Sequence, residues 1–175
     1  MGGVFFVSYT VTPFGKNVSN MSRNEKFAFF LPTRKGSERV QNKNTRTFAG
    51  IEGGLLKLKL NQLLEIDRVH DIIVSTNDPE TFEIAQSFNN DRIQVIERPE
   101  ALCLSSTVIE DFINYIPTVV NADHIFWVHA TAPFADKQVL ENALDVYEKE
   151  VICENNYDSL LSVTKVQQFL WSAKE

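Results

Sequence analysis

Apolar residues in this chain gather in two kinds of run, and the two alternate. Phe27 to Leu31 is a continuous apolar run closed by Pro32, the pattern of a strand buried on both faces. "DIIVST", Asp71 to Thr76, and "IQVIER", Ile93 to Arg98, repeat it; Asn77-Asp78-Pro79 ends the first and Pro99 the second. "HIFWVHAT", His124 to Thr131, and "SLLSVTKV", Ser159 to Val166, predict a fourth and a fifth strand. Between them the spacing turns helical. "LLKLKLNQLLEI", Leu55 to Ile66, sets leucines at helical intervals with Lys57 and Lys59 outward, although "LLKLKL" alone also alternates as a strand does. Glu80 to Phe88 predicts a helix with Pro79 in its first turn and Thr76 to Asp78 able to cap it. Ser106 to Tyr115 predicts another, and Asp136 to Val151 an amphipathic one with Leu140, Ala143, Leu144 and Tyr147 on one face.

Strand alternating with helix implies an α/β fold: a three-layer, Rossmann-like, mostly parallel sheet with helices on both faces and right-handed crossovers. Ligands of such sheets bind beyond the carboxyl ends of the strands. Pro32 to Asn44, Ser75 to Asp78, Arg98 to Thr107 and His129 to Phe134 should then surround one crevice.

The 175 residues, 43% of them apolar, suffice for one globular domain with a real core. That domain is expected over 27–175, after an N-terminal extension, 1–26. The extension has an apolar patch, Val4 to Val11, without the positive start or small-residue cleavage site of a secretory signal, and it is expected to be irregular, with Met21 an alternative start. No run approaches the roughly 20 apolar residues of a membrane helix, so a soluble chain is expected. Cys103 and Cys153 lie far apart and suggest neither a zinc site nor a disulfide framework; a reducing, cytoplasmic setting fits. A formal net charge of −6 argues against general nucleic-acid binding.

One stretch opposes that acidic balance. "PTRKGSERVQNKN", Pro32 to Asn44, carries Arg34, Lys35, Arg39 and Lys43 around Gly36 and Ser37. A solvated basic turn is one reading, since charge runs usually face water. The other is a polyphosphate cradle, in which backbone N–H groups and fixed cations neutralise phosphate oxygens. Its place after the first buried strand favours the cradle. It is neither a G-x-x-x-x-G-K-[ST] loop nor a G-x-G-x-x-G loop. Elsewhere, Phe29, Phe30, Phe126, Trp127 and Trp171 read as core or subunit contacts, Cys103 as a buried inert thiol, and Ser105 and Ser106 as caps of the next helix or nucleotide contacts.

Five blocks stand in order: P-x-R-x-G-S-x-x-x-x-x-K-N from Pro32 to Asn44, "VSTND", "RPEAL", "HATAPF" and "YDSLLSVTKVQQFLWS". Over Phe27 to Ser172 the series resembles the acylneuraminate cytidylyltransferases, the CMP-sialic acid synthetases. The resemblance implies a nucleotide-diphospho-sugar transferase-like fold, transfer of CMP from CTP to an acidic nine-carbon sugar with release of pyrophosphate, help from Mg2+, and a homodimer. It implies that Arg34 and Lys43 grip the triphosphate as the catalytic cations, and that Pro32, Thr33, Gly36, Ser37 and Asn44 hold the nucleotide. Arg98, Ser105, Ser106 and Thr107 fall where the family meets cytosine and ribose. His129 and Thr131 fall in the sugar-facing stretch, where His129 also reads as a strand-end residue with a structural partner.

The match has departures. Glu38 stands at a phosphate-facing cationic position, with Arg39 beside it; Asn77 stands where an aspartate is expected, with Asp78 next; His129 and Ala132 replace a glutamine and a serine. Family members continue into a dimerisation segment and an aspartate-rich block. The main magnesium carboxylates are therefore expected outside this sequence, with Asp78 and Asp123 the acids available within it, weak or no turnover by the chain alone, and exposed apolar surface near Phe169 to Trp171. Two alternatives are a non-catalytic nucleotide-binding or assembly module and a nucleotidyltransferase for another acidic sugar, such as an octulosonate.

Overall fold

The computed structural model describes residues 4–9, 25–36 and 40–164. Of the sites named above, Ser37 with Glu38 and Arg39, and the Phe169 to Trp171 surface, lie outside the described residues.

The run that ends at Pro32 forms the strand around which the rest assembles. Following β1 (Val4–Tyr9), β2 (Phe27–Pro32) buries Ala28, Phe29, Phe30 and Leu31 completely. It lies inside a four-stranded sheet of order β4-β3-β2-β5, with β3 (Asp71–Thr76), β4 (Ile93–Glu97) and β5 (His124–Trp127). All three pairings are parallel; Phe30 stands opposite Ile73 on one side and Trp127 on the other. The crossovers are α1 (Gly54–Leu64), α2 (Pro79–Gln86) and α3 (Ile109–Val119). Ala28, Phe30 and Ile73 pack with Phe112, Ile116 and Val120 from α3 and its end. The intervening residues Phe29, Leu31, Ile72 and Val74, all fully buried, point to the opposite face by the two-residue strand period. Phe30, Phe112 and Trp127 meet edge-on or tilted, with ring centroids 5.2–6.0 Å apart.

This parallel sheet belongs to a compact unit spanning Ser22–Val139. A second unit combines Met1–Met21 with Leu140–Glu175. It holds β6 (Ser159–Thr164), paired antiparallel with β1 from Val4 opposite Thr164 to Tyr9 opposite Ser159. The fifth predicted strand is therefore not part of the parallel sheet, and the segment expected to be irregular contains a strand. Aromatic and β-branched "VFFVSY" suits a strand, and an antiparallel partner needs no helical crossover.

Asp78 caps α2, accepting from the Glu80 N–H (3.3 Å) and the Thr81 hydroxyl (3.2 Å), with Pro79 in the first turn as predicted. α4 (Lys137–Tyr147) is shorter than predicted: Asp136 accepts from the Val139 N–H, and the chain widens into a π turn at Glu148–Cys153. Ser105 and Ser106 do not cap α3; Val108 occupies that position without a side-chain cap bond. The preceding turn is closed instead by Thr107, whose N–H donates to Leu104 O and whose hydroxyl donates to Ala101 O at 2.8 Å. Among the described residues no helix is long and apolar enough to cross a membrane.

Lys59 corrects a second expectation. It does not face outward: it is 1% exposed, and Nζ donates to Ala135 O at 2.6 Å. Burial lowers its pKa from 10.5 to about 8, against the opposing pull of Asp136. Since the unfolded lysine titrates near 10.5, the unfolded state binds more protons between about pH 8 and 10.5, so Lys59 favours folding increasingly as pH rises through that window. Chemical denaturation of wild type and Lys59→Met at pH 7 and pH 10 is expected to show the stability difference moving towards wild type at the higher pH. An identical difference at both values would contradict a buried, depressed lysine.

Candidate functional site

The chain runs from β2 out through β3 to β4 and returns to place β5 on β2's other side. The segments leaving β2 and β5 thus separate at the carboxyl ends, the position where open α/β sheets form a binding crevice. A cleft of about 550 Å³ lies there. Pro32, Thr33 and Arg34 line it from the end of β2, Lys43 and Asn44 from the basic loop, Arg98, Ser105 and Thr107 from beyond β4, and His129 and Thr131 from beyond β5. The Ser75 to Asp78 segment, expected around the crevice, contributes no lining residue, and of the described residues assigned to nucleotide or sugar two stay out. Ser106 is exposed on the turn before α3. Gly36 has φ +79 and nothing within 4 Å of where a Cβ would sit, so it serves the loop's left-handed turn rather than close approach. A second hollow of about 520 Å³ lies by the start of β4, among Ala85, Asn89, Asp91 and Ile93. No cationic side chain lines it, so the polyphosphate chemistry belongs to the first cleft.

The β2 exit is held residue by residue. Thr33 N–H continues the sheet, donating to Ser75 O at 3.0 Å, and Thr33 O accepts from Arg98 Nη2. Arg34 Nη1 donates to Cys103 O at 2.9 Å. Lys35 N–H donates to Asn77 Oδ1 at 3.0 Å, and Asn77 Nδ2 donates to Glu100 Oε2 at 2.9 Å. Three consecutive residues are thus tied, directly or through one side chain, to the chain that follows β4.

Arg98 is 5% exposed; its N–H donates to Thr76 O at 2.8 Å and its guanidinium lies 4.8 Å from the Phe112 ring centroid. Its Nε and the Thr33 hydroxyl oxygen are buried without a hydrogen-bond partner. The Cys103 thiol is buried, as expected, with its sulfur 3.5 Å from Pro99 O.

The basic loop and the opposite wall are both fastened to α1. Asn44 O accepts from Leu56 N–H at 2.8 Å in the helix's first turn. Gly54 has φ +55, and a Cβ there would stand 2.1 Å from Arg46 O, so this close approach of loop and helix requires glycine. Further along, Lys59 holds Ala135 O and Gln62 Nε2 donates to Pro133 O at 2.9 Å, pinning the segment that carries His129 and Thr131. His129 lies beside Trp127, ring centroids 5.9 Å apart, and its pKa is lowered first by burial and then by Lys43. Both effects favour the uncharged imidazole.

Val40, Leu102 and Leu104 lie in segments expected around the crevice, but the apolar wall they form with Ile109 and Phe112 was not foreseen from the sequence. The strong amphipathic period of "IEDFINYI" marks Phe112 as inward, but only the fold brings it against Arg98. Neither acid considered for a metal faces the cleft freely: Asp78 is the α2 cap, and Asp123 accepts from Lys26 N–H at 2.8 Å, before β5 at the amino end of the sheet. Among the described residues no three of His, Cys, Asp and Glu gather as a metal site.

Against this geometry, the sequence pattern of the cytidylyltransferase family matches residues 28–170. The chain is 25% identical over 140 residues to a pseudaminic acid cytidylyltransferase of Campylobacter jejuni serotype O:2, a match covering 78% of this chain and 57% of that protein. It is 26% identical over 141 residues to an N-acylneuraminate cytidylyltransferase of Escherichia coli O18:K1:H7, covering 80% and 32%. The chain therefore spans little more than half the length of the first relative and a third of the second. Its fold is similar to that of CMP:2-keto-3-deoxy-manno-octonic acid synthetase complexed with CTP, with a TM-score of 0.59 at 18% identity over 71% of this chain and 48% of that one.

Because the Lys43 charge helps to hold His129 below the usual 6.5, an NMR titration of the imidazole is expected to give a pKa below 6.5 in wild type and a higher one in Lys43→Met. A value unmoved by the substitution would remove Lys43 from the surroundings of His129.

Proposed function

Because the chain belongs to the cytidylyltransferase family, we propose that its cleft binds CTP and transfers CMP to an acidic sugar of the nine-carbon, N-acetylneuraminate-like class, releasing pyrophosphate. The observation that carries this reading is the union, in one cleft, of Arg34, Lys43 and Arg98 with the His129–Thr131 wall.

The oxygen of the sugar's anomeric hydroxyl forms a bond to the α-phosphorus as the bond from that phosphorus to the bridging oxygen of pyrophosphate breaks, and the hydroxyl's proton is released to water. Such transfers are accelerated by alignment and by neutralising charge that grows on phosphate oxygens. Arg34 and Lys43 are the groups for the triphosphate. Arg34 reaches it with one donor already committed to Cys103 O, which fixes the guanidinium before the nucleotide arrives. Thr33, Arg98, Ser105 and Thr107 line the side of the cleft suited to the polar edge of the nucleoside. Uncharged His129, with Thr131, is suited to sugar hydroxyls rather than to a carboxylate. Magnesium belongs to the reading as a cation that shields the triphosphate. The described residues supply no carboxylate cluster to hold it.

Calorimetry with CTP in the presence of magnesium is expected to show binding, weakened roughly tenfold or more by Arg34→Ala, the scale of a lost charge-assisted hydrogen bond. UTP and ATP should bind more weakly than CTP. No heat at millimolar CTP, or indifference to Arg34→Ala, would contradict the assignment. Pyrophosphate release with a nine-carbon acidic sugar, compared with an eight-carbon one, tests the acceptor.

A further inference from the structure

We infer that Asn77 is a positioning residue for the triphosphate cradle, and that it does this work because it is an amide facing a carboxylate. The inference rests on the CTP-binding reading above. Asn77 follows β3 directly and stands between two loops that line or flank the cleft. Its carbonyl oxygen accepts from Lys35 N–H at 3.0 Å, and its amino group donates to Glu100 Oε2 at 2.9 Å. Only a side chain that both accepts and donates completes this bridge. An aspartate would still accept from Lys35, but towards Glu100 it would present a second carboxylate in place of a donor.

The bridge matters because of what it completes. Thr33 is tied to Arg98 and Arg34 to Cys103, but both of these ties lie close to the strand end. Lys35 is the last residue before the left-handed turn at Gly36, where the loop leaves the sheet. The Asn77 contact is thus the last of the three ties before that turn, and it holds the backbone at Lys35, where the chain leaves for Lys43 and Asn44. Asp78, next in the chain, is occupied as the α2 cap and cannot replace it.

The test is a charge-exchange cycle, Asn77→Asp, Glu100→Gln and the double variant, read on the whole chain. Asn77→Asp is expected to weaken CTP binding roughly threefold to tenfold, the range of one lost hydrogen bond. Adding Glu100→Gln returns a donor opposite the new carboxylate, and the double variant is expected to bind within about twofold of wild type, a rescue that general destabilisation would not produce. Hydrogen exchange of the Lys35 amide in the ligand-free chain supplies a readout independent of nucleotide: slow in wild type, faster in Asn77→Asp, slow again in the double variant. If that exchange pattern holds while wild type binds no CTP, the functional reading fails and the bridge stands. CTP affinity indifferent to Asn77→Asp, or lost in it and not regained in the double variant, overturns the inference, as does a Lys35 amide that exchanges alike in all four proteins.

Discussion

Everything in the candidate site depends on the saturation of β2. It is buried on both faces and hydrogen-bonded on both edges, so its backbone has no freedom along Ala28 to Leu31. A strand so fixed also fixes where the chain emerges. Pro32 lacks a donor, the Thr33 N–H takes the last bond to β3, and the next residues can only turn outward between the ends of β3 and β5. Arg34 and Lys43 are thereby placed at the crevice. The ties from Arg98, Cys103 and Asn77 then restrict three successive residues at the point of exit. Much of the ordering a triphosphate would otherwise impose is thus present beforehand.

The opposite wall follows the same logic with α1 as a strut. Its first turn holds Asn44 O and its later turns hold Pro133 O and Ala135 O, so one rigid element sets the distance between the cradle and the His129 segment. A buried ammonium is an expensive way to hold a carbonyl, and Lys59 titrates near 8 because of it. A lysine stem long enough to cross from the helix to the loop also fills apolar space on the way.

The parallel strands were legible because each is a short apolar run ended by proline or a turn, whereas the order β4-β3-β2-β5 came only with the fold. The crevice was legible for the same reason: the carboxyl ends of those runs carry Arg34, Arg98 and His129. What was not legible depended on partners distant in sequence. Val4 to Tyr9 reads as a stray apolar patch until Ser159–Thr164 lies against it. Lys59 sits in a pattern that allows an outward residue, and only the arrival of Ala135 turns it inward. Ser105 and Ser106 have the chemistry of caps, yet Thr107 closes the turn first and the helix starts later. Asn77 reads as a departure from a motif until Glu100 is seen opposite it.

The ties from Arg98, Cys103 and Asn77 build the cleft before any ligand arrives. Native-state hydrogen exchange of the unliganded chain tests it most directly, at the amides of Thr33, Arg98 and Val128, which bond to Ser75 O, Thr76 O and Phe30 O. A preformed cleft predicts that all three exchange as slowly as the β2 core amide of Phe30, opening only with global unfolding. Exchange as fast as that of an exposed loop amide, slowing only when CTP is added, would contradict it.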